Sequence, residues 1–181
     1  ICDEGFIGAY LELGKALEHL GRYNEAINHY EVTLTIDDPT AFALLRIGEC
    51  HLKLGNEALG VKFIKNAIHE DPLLDKGWLS LCEFYMHKNA YAKVLHYVKK
   101  AVKIDNTHVH YWRFYAQANK ALGFLEEAHL AYKRLVNLGN YEVQTWLDWT
   151  QVLLQLQEYE SGINALRQGI EFQPENSQLH Y

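Results

Sequence analysis

Histidine is the residue type in this sequence best suited to bind a metal ion, and two of the ten histidines lie two positions apart. The segment HVHYW places His108 and His110 on either side of Val109. Zinc sites present three or four ligands at recognisable spacings, and no carboxylate directly flanks this pair. We therefore expect a polar turn with a groove-facing histidine, and neither a metal site nor a cofactor. His51 is expected to be a packed residue.

Cysteine is the other residue type with chemistry of its own, and the chain has Cys2, Cys50 and Cys82. Their odd number and the lack of a CxxC spacing indicate neither a disulfide framework nor a zinc site. A catalytic thiol needs an accessible, electropositive setting, whereas Cys50 and Cys82 fall at helix positions that we expect to be packed. The sequence also lacks GxSxG, P-loop, GxGxxG and HExxH motifs. We assign no catalytic residue and predict that the chain is not an enzyme.

Composition limits the classes of partner. The 181 residues are 49% hydrophobic and carry a net charge of −6, so no general excess of Lys and Arg attracts nucleic acid or anionic membranes. No apolar run approaches the roughly 18 residues of a membrane span. We expect a soluble, mainly helical, cytoplasmic protein that does not insert into membranes. The sequence begins at Ile1, so the sequence leaves open whether a signal peptide lies upstream.

Most of the histidines and cysteines lie in a sequence pattern that recurs with a period of 34 residues. Trp78, Trp112 and Trp146 are themselves separated by that period. The first repeat has its pattern residues at Tyr10, Leu13, Gly14, Leu17, Gly21, Tyr23, Ala26 and Tyr30. Some later residues depart from the common choices, namely Cys82, Asn89, Leu135, Gly162 and Gly169.

This pattern resembles the tetratricopeptide repeat family over almost the whole chain. The resemblance implies an all-α fold, a right-handed α-solenoid of helix-turn-helix hairpins. We expect a single array over 1–181, with repeats at 7–40, 41–74, 75–108, 109–142 and 143–176.

Small residues have two predicted roles in each hairpin. Gly21, Gly55 and Gly123, with Asn89 in the third repeat, fall where the first helix must end in a left-handed or tightly turned residue. Other small residues are expected to let two helices approach closely; these are Gly14, Gly48, Cys82, Ala116, Ala26, Ala67, Ala101 and Ala128.

Both ends of the sequence look cut from something longer. Residues 177–181 resemble the start of a further helix, and neither end carries the polar cap expected of a terminal repeat. We therefore expect a fragment of a longer protein. Its last hairpin would expose the apolar side formed by Ile163, Leu166, Ile170 and Phe172, which predicts weak self-association through the uncapped ends.

The resemblance also implies a concave groove, lined mainly by the first helix of each repeat, that holds a peptide. Leucines recur along it, interrupted by Arg113 and flanked by charges of both signs, which suits a partner with apolar anchors and mixed charge. Packing of these leucines between helices is the alternative. The candidate partner-binding residues are Leu11, Lys15, Leu45, Arg46, Glu49, Leu79, Glu83, Arg113, Phe114, Gln117, Leu147, Asp148 and Gln151.

Some members of the family grip the terminal carboxylate of chaperones with Lys, Asn and Arg at fixed places. In the best frame this chain offers Leu11, Lys15, Arg46, Lys76 and Ser80. Other frames place acidic Glu49 or Glu83 there, which would repel a carboxylate. We therefore expect no chaperone-carboxylate clamp.

Charge is unevenly distributed along the repeats. The third repeat carries Lys93, Lys99, Lys100 and Lys103 on its second helix, which we interpret as a solvated outer face. The predicted function is a non-enzymatic scaffold that binds a peptide or protein segment of unknown identity. The alternative is a regulatory or sensor segment of a larger enzyme or signalling protein, since fold alone does not separate the two.

Overall fold

A computed structural model of the chain describes residues 4–36 and 40–172. The described residues form helices joined by short turns, and their fold class is all-α, as predicted. The helices are α1 (Glu4–His19), α2 (Tyr23–Ile36), α3 (Ala41–Lys53), α4 (Glu57–Glu70), α5 (Asp75–His87), α6 (Tyr91–Ile104), α7 (Val109–Ala121), α8 (Leu125–Asn137), α9 (Val143–Gln155) and α10 (Tyr159–Phe172). The further helix predicted at 177–181 lies outside the described residues.

Consecutive helices form hairpins, and the turn inside each hairpin has the same geometry. The left-handed residue predicted at Gly21, Gly55, Asn89 and Gly123 is confirmed, with φ of 72°, 82°, 54° and 78°. The residue after each one donates its N–H to a carbonyl five residues earlier, as Arg22 does to Leu17 at 2.9 Å. This bond and the positive φ are the features of a Schellman cap, which satisfies carbonyls at a helix end.

The fifth hairpin uses the same turn with a less suitable residue. Gln157 has a φ of 62°, and Glu158 N–H bonds the Leu153 carbonyl at 2.9 Å. A side chain with a Cβ is disfavoured in this conformation. The repeated hairpin geometry therefore imposes the turn even where the sequence has no Gly or Asn.

The chain divides into two compact units, Ile1–Leu81 and Cys82–Tyr181, called here the N-terminal and C-terminal units. In the N-terminal unit, α1 to α4 pack on one another in sequence order, and in the C-terminal unit α6 to α10 do the same. Such sequential stacking is the arrangement of an α-solenoid. The boundary falls inside α5, and the single array over 1–181 stays a prediction.

Each unit has its own apolar core. The core cluster of the N-terminal unit is Leu17, Ala26, Ile27, Tyr30, Ile47 and Cys50. That of the C-terminal unit is Ala116, Ala128, Ala131, Tyr132, Leu135, Trp146, Trp149, Val152, Leu153 and Ala165. Trp146 is fully buried. Its ring stacks on those of Trp149 and Phe172, whose centroids lie 5.8 and 6.2 Å away.

The small residues predicted at close helix crossings are all buried. At Gly48 in α3 the neighbouring helix is close: an added Cβ would lie 2.7 Å from Ile64 Cγ1 and 2.9 Å from the backbone oxygen of Gly60. Gly169 faces Trp146, whose Cγ would lie 2.9 Å from an added Cβ. Glycine at 169 therefore makes room for the buried indole.

The apolar side of α10 is partly covered. Leu166 and Ile170 pack against the core of the C-terminal unit, whereas Ile163 and Phe172 are 42% and 51% exposed. Self-association through this end stays a prediction. In the described part of the chain, no helix is long and apolar enough to cross a membrane.

Candidate functional site

The histidine pair does not assemble a metal site in the described residues. His108 precedes α7 and stacks on Tyr111 with ring centroids 4.2 Å apart, while the His110 ring lies 5.6 Å from the His108 ring. No third ligand joins them, because the described residues contain no group of three His, Cys, Asp or Glu able to hold a metal ion. His51 is half-buried and stacks on Phe63 at 5.6 Å, so the prediction of a packed residue is confirmed.

The two described cysteines are structural. Cys50 and Cys82 are 1% and 0% exposed, which confirms that they are buried. Burial raises the pKa of each thiol to about 12, and the charge of Glu18 adds to the effect at Cys50. Both thiols are therefore neutral near pH 7, whereas the nucleophilic species is the thiolate.

The predicted groove residues lie on first helices, but their exposure varies. Glu83 and Gln151 are exposed, and ten are half-buried: Leu11, Lys15, Arg46, Glu49, Leu79, Arg113, Phe114, Gln117, Leu147 and Asp148. Leu45 is fully buried, at 0% exposure. This corrects its assignment as a ligand anchor, because its side chain packs inside the N-terminal unit.

A polar network in the N-terminal unit joins residues of first helices to Tyr30 on α2. Arg46 bonds Glu18 in two places, through Nε to Oε1 at 2.9 Å and through Nη2 to Oε2, and its Nη1 donates to Glu49 at 2.6 Å. The Tyr30 hydroxyl donates to Glu18 at 2.5 Å, and Ser80 donates to Glu49 at 2.6 Å. Arg46 is thus held by two carboxylates of its own chain.

Burial sets the electrostatics of this network. Burial raises the pKa of Tyr30, and the hydrogen bond to Glu18 raises it further, so the phenol stays protonated and can donate. Lys15, also predicted for the groove, pairs with Glu12 at 2.5 Å and lies over the Phe42 ring at 5.2 Å. Several polar residues predicted for the groove therefore make structural contacts in this unit.

The C-terminal unit carries the same positions with exchanged charges. Lys120 and Asp148 stand three repeats after Glu18 and Arg46, and Lys120 Nζ donates to Asp148 Oδ1 at 2.7 Å. Gln144 donates to the same oxygen at 3.1 Å. The ion pair is retained although each partner has changed sign.

Tyr132 stands three repeats after Tyr30, but its hydroxyl has no acceptor. It is 1% exposed, and its oxygen is buried with no hydrogen-bond partner. Burial raises its pKa, and the charge of Asp148 raises it further. The matching hydroxyl in the N-terminal unit bonds Glu18, whereas here the lysine at that position supplies no acceptor.

A cavity of about 340 Å³ opens beside Tyr132 in the C-terminal unit. It brings together two predicted groove residues, Gln117 and Asp148, with residues near the hairpin turns. Its lining is Met86, Tyr91, Gln117, Lys120, Ala121, Tyr132, Asp148 and Gln155. The remaining predicted residues of this unit do not line it, and Arg113 pairs with Glu142 at 2.5 Å.

Sequence reasoning missed Glu18, Tyr30, Lys120, Tyr132 and Gln155. A signal for the two ion pairs was present, because Glu18 and Arg46 are separated by 28 residues and so are Lys120 and Asp148. That separation places one residue in the last turn of a first helix and the other near the middle of the first helix of the following repeat. The cavity had no such signal.

The geometry of the hairpins agrees with a known family. The family model described as tetratricopeptide repeat matches residues 7–37, which covers the first hairpin. The same turn then recurs in every later hairpin of the described residues. The chain therefore carries a tetratricopeptide repeat at residues 7–37. No curated protein matches its sequence.

Solved structures share the fold of this chain at low identity. "MamA AMB-1 P212121" is 18% identical with a TM-score of 0.75, covering 97% of this chain and 96% of that one. MamA "41-end from Desulfovibrio magneticus RS-1" is 12% identical with a TM-score of 0.77, covering 98% and 99%. "Crystal structure of MamA protein" is 13% identical with a TM-score of 0.77, covering 92% and 91%. The likeness is one of fold.

The matched tyrosines give a stability test. We expect Tyr30→Phe to lower the free energy of unfolding by about 2 kcal/mol, because it removes a partly buried hydrogen bond to a carboxylate. Tyr132→Phe is expected to be neutral or slightly stabilising, because its hydroxyl bonds nothing. Urea unfolding followed by circular dichroism measures both. Equal losses in the two variants would contradict the assigned hydrogen bonds.

Proposed function

We propose that this chain is a non-enzymatic scaffold and that it binds an extended segment of a protein partner on the first helices of its C-terminal unit. The observation that carries the proposal is the open cavity beside α7 and α9, which two predicted groove residues, Gln117 and Asp148, help to line. Peptide sites combine pockets for side chains with polar groups that fix orientation.

The chemistry of these first helices suits a partner of mixed character. Phe114 and Leu147 are half-buried apolar residues, and each is adjacent in sequence to a charged residue, Arg113 and Asp148 respectively. Aromatic residues and arginine are both enriched at protein interfaces. A ligand with one apolar anchor and one polar side chain would match both features.

The second helices offer a competing surface in the same unit. A cavity of about 460 Å³ is lined mainly by α6, α7 and α8 and includes Lys99, Lys103, Trp112 and Leu130. Leu130 is 63% exposed. This cavity lacks residues predicted for the groove, so it provides a control for the proposed site.

The experiment selects peptides from a random displayed library on the intact chain and measures their affinity for variants. We expect Phe114→Ser to weaken binding about tenfold or more, as for a central anchor. The matched control, Leu130→Ser, alters an exposed apolar residue on α8 and is expected to leave affinity unchanged. Circular dichroism checks that both variants remain helical.

Two results would contradict the proposal. One is a loss of affinity in Leu130→Ser with none in Phe114→Ser, which would place binding on the second helices. The other is a library that yields no peptide able to bind the intact, folded chain.

A further inference from the structure

Polar side chains from several helices line the cavity beside Tyr132. Tyr132 is one of the residues that line the cavity, and its hydroxyl oxygen is buried without a hydrogen-bond partner. A buried polar group without a partner costs free energy, and Tyr30, the corresponding residue three repeats earlier, avoids this cost by donating to Glu18. The fold therefore satisfies this tyrosine in one unit and leaves it unsatisfied in the other.

The cavity wall offers both donors and an acceptor. The Tyr132 hydroxyl can donate, and Lys120 has three N–H donors, of which Asp148 takes one at 2.7 Å. The Asp148 carboxylate accepts, and the amides of Gln117 and Gln155 can do either. Because the lysine and aspartate charges cancel, the site has no net charge to attract an ion.

We propose that this cavity binds the carboxamide side chain of an asparagine or glutamine in the partner segment. The ligand carbonyl accepts from the Tyr132 hydroxyl, and the ligand amide group donates to the Asp148 carboxylate. The inference rests on the proposed function, because it names the side chain that the peptide site selects.

Charged side chains fit the same wall less well. A ligand carboxylate would be attracted by Lys120 but repelled by Asp148, and a ligand ammonium or guanidinium would be attracted by Asp148 but repelled by Lys120, so each meets a like charge beside its partner. Burial and the charge of Asp148 raise the pKa of Tyr132, which keeps the hydroxyl protonated as a donor. A carboxamide is neutral and carries both a donor and an acceptor.

The cavity size agrees with a side chain as the ligand. Its volume of about 340 Å³ lies at the lower end of the roughly 300–1,000 Å³ found for small-molecule sites. The site therefore has room for one side chain of a peptide.

The first test uses three probes of one carbon skeleton: propionamide, propionate and propylamine. The full chain carries ¹³C at the Cζ of its tyrosines, and Tyr132→Phe identifies the Tyr132 resonance by its loss. We expect propionamide alone to shift the Tyr132 resonance saturably, while the Tyr30 resonance, whose hydroxyl already bonds Glu18, stays in place. No shift with propionamide up to its solubility limit, or an equal shift with propionate, would overturn the proposal.

The second test uses the library-selected peptides and does not depend on resonance assignment. Changing their Asn or Gln to Asp or Glu is expected to weaken binding about tenfold, and Tyr132→Phe should remove most of that discrimination. Peptides that bind without any need for Asn or Gln would overturn the inference and leave the proposed function standing. A propionamide response without peptide binding would support the carboxamide site and refute the peptide scaffold.

Discussion

Replacing Trp146 by alanine is expected to lower the free energy of unfolding by about 3–5 kcal/mol. Trp146 is the largest fully buried side chain of the described residues, at 0% exposure. It fills the space between α9 and α10, where Gly169 leaves room for its ring. Removing the indole leaves a cavity among packed residues that relax only partly. Urea unfolding followed by far-ultraviolet circular dichroism measures the change.

Trp112 provides the matched control, because it occupies the same position one repeat earlier. It is half-buried, and its Nε1 donates to the Asn106 carbonyl at 2.8 Å. We expect Trp112→Ala to cost less than half as much as Trp146→Ala, since less apolar surface leaves contact with the core. Equal costs would contradict the assigned burial of the two indoles.

Replacing Gly48 by alanine is expected to cost about 3 kcal/mol, near the upper end of the range for overpacked cores. The added Cβ would lie 2.9 Å from the Gly60 backbone oxygen and 2.7 Å from Ile64 Cγ1. The backbone atom cannot rotate away, so α3 and α4 must separate. This cost exceeds the roughly 1 kcal/mol that alanine contributes to helix propensity.

Gly8 is the control for this substitution. It lies in α1 with no atom within 4 Å of an added Cβ, so Gly8→Ala is expected to stabilise the chain by up to about 1 kcal/mol. The two Gly→Ala changes should therefore have opposite signs in thermal unfolding. Two stabilised variants would show that α3 and α4 do not approach as closely as described.

The hairpins were predictable because their signals are local. Glycine and asparagine adopt a positive φ at a low cost in free energy. The positions of Gly21 and Asn89 therefore show where the first helices end. Gln157 shows the limit of this reasoning, because packing of the fifth hairpin imposes a conformation that its residue type does not favour.

The candidate site was predictable only in part, because exposure depends on neighbours far away in sequence. Leu11, Leu45 and Leu79 share one position in successive repeats, yet only Leu45 is fully buried. The cavity depends on side-chain reach as well. Glu18 meets both Tyr30 and Arg46, whereas the exchanged pair Lys120 and Asp148 leaves the Tyr132 hydroxyl without an acceptor.

Amide chemical-shift mapping of the intact chain with a library-selected peptide tests the proposed binding site most directly. We expect the largest changes to fall on α7 and α9, around Phe114, Gln117 and Asp148, as the peptide saturates the chain. Changes concentrated instead on α6 and α8, around Lys103 and Leu130, would contradict it.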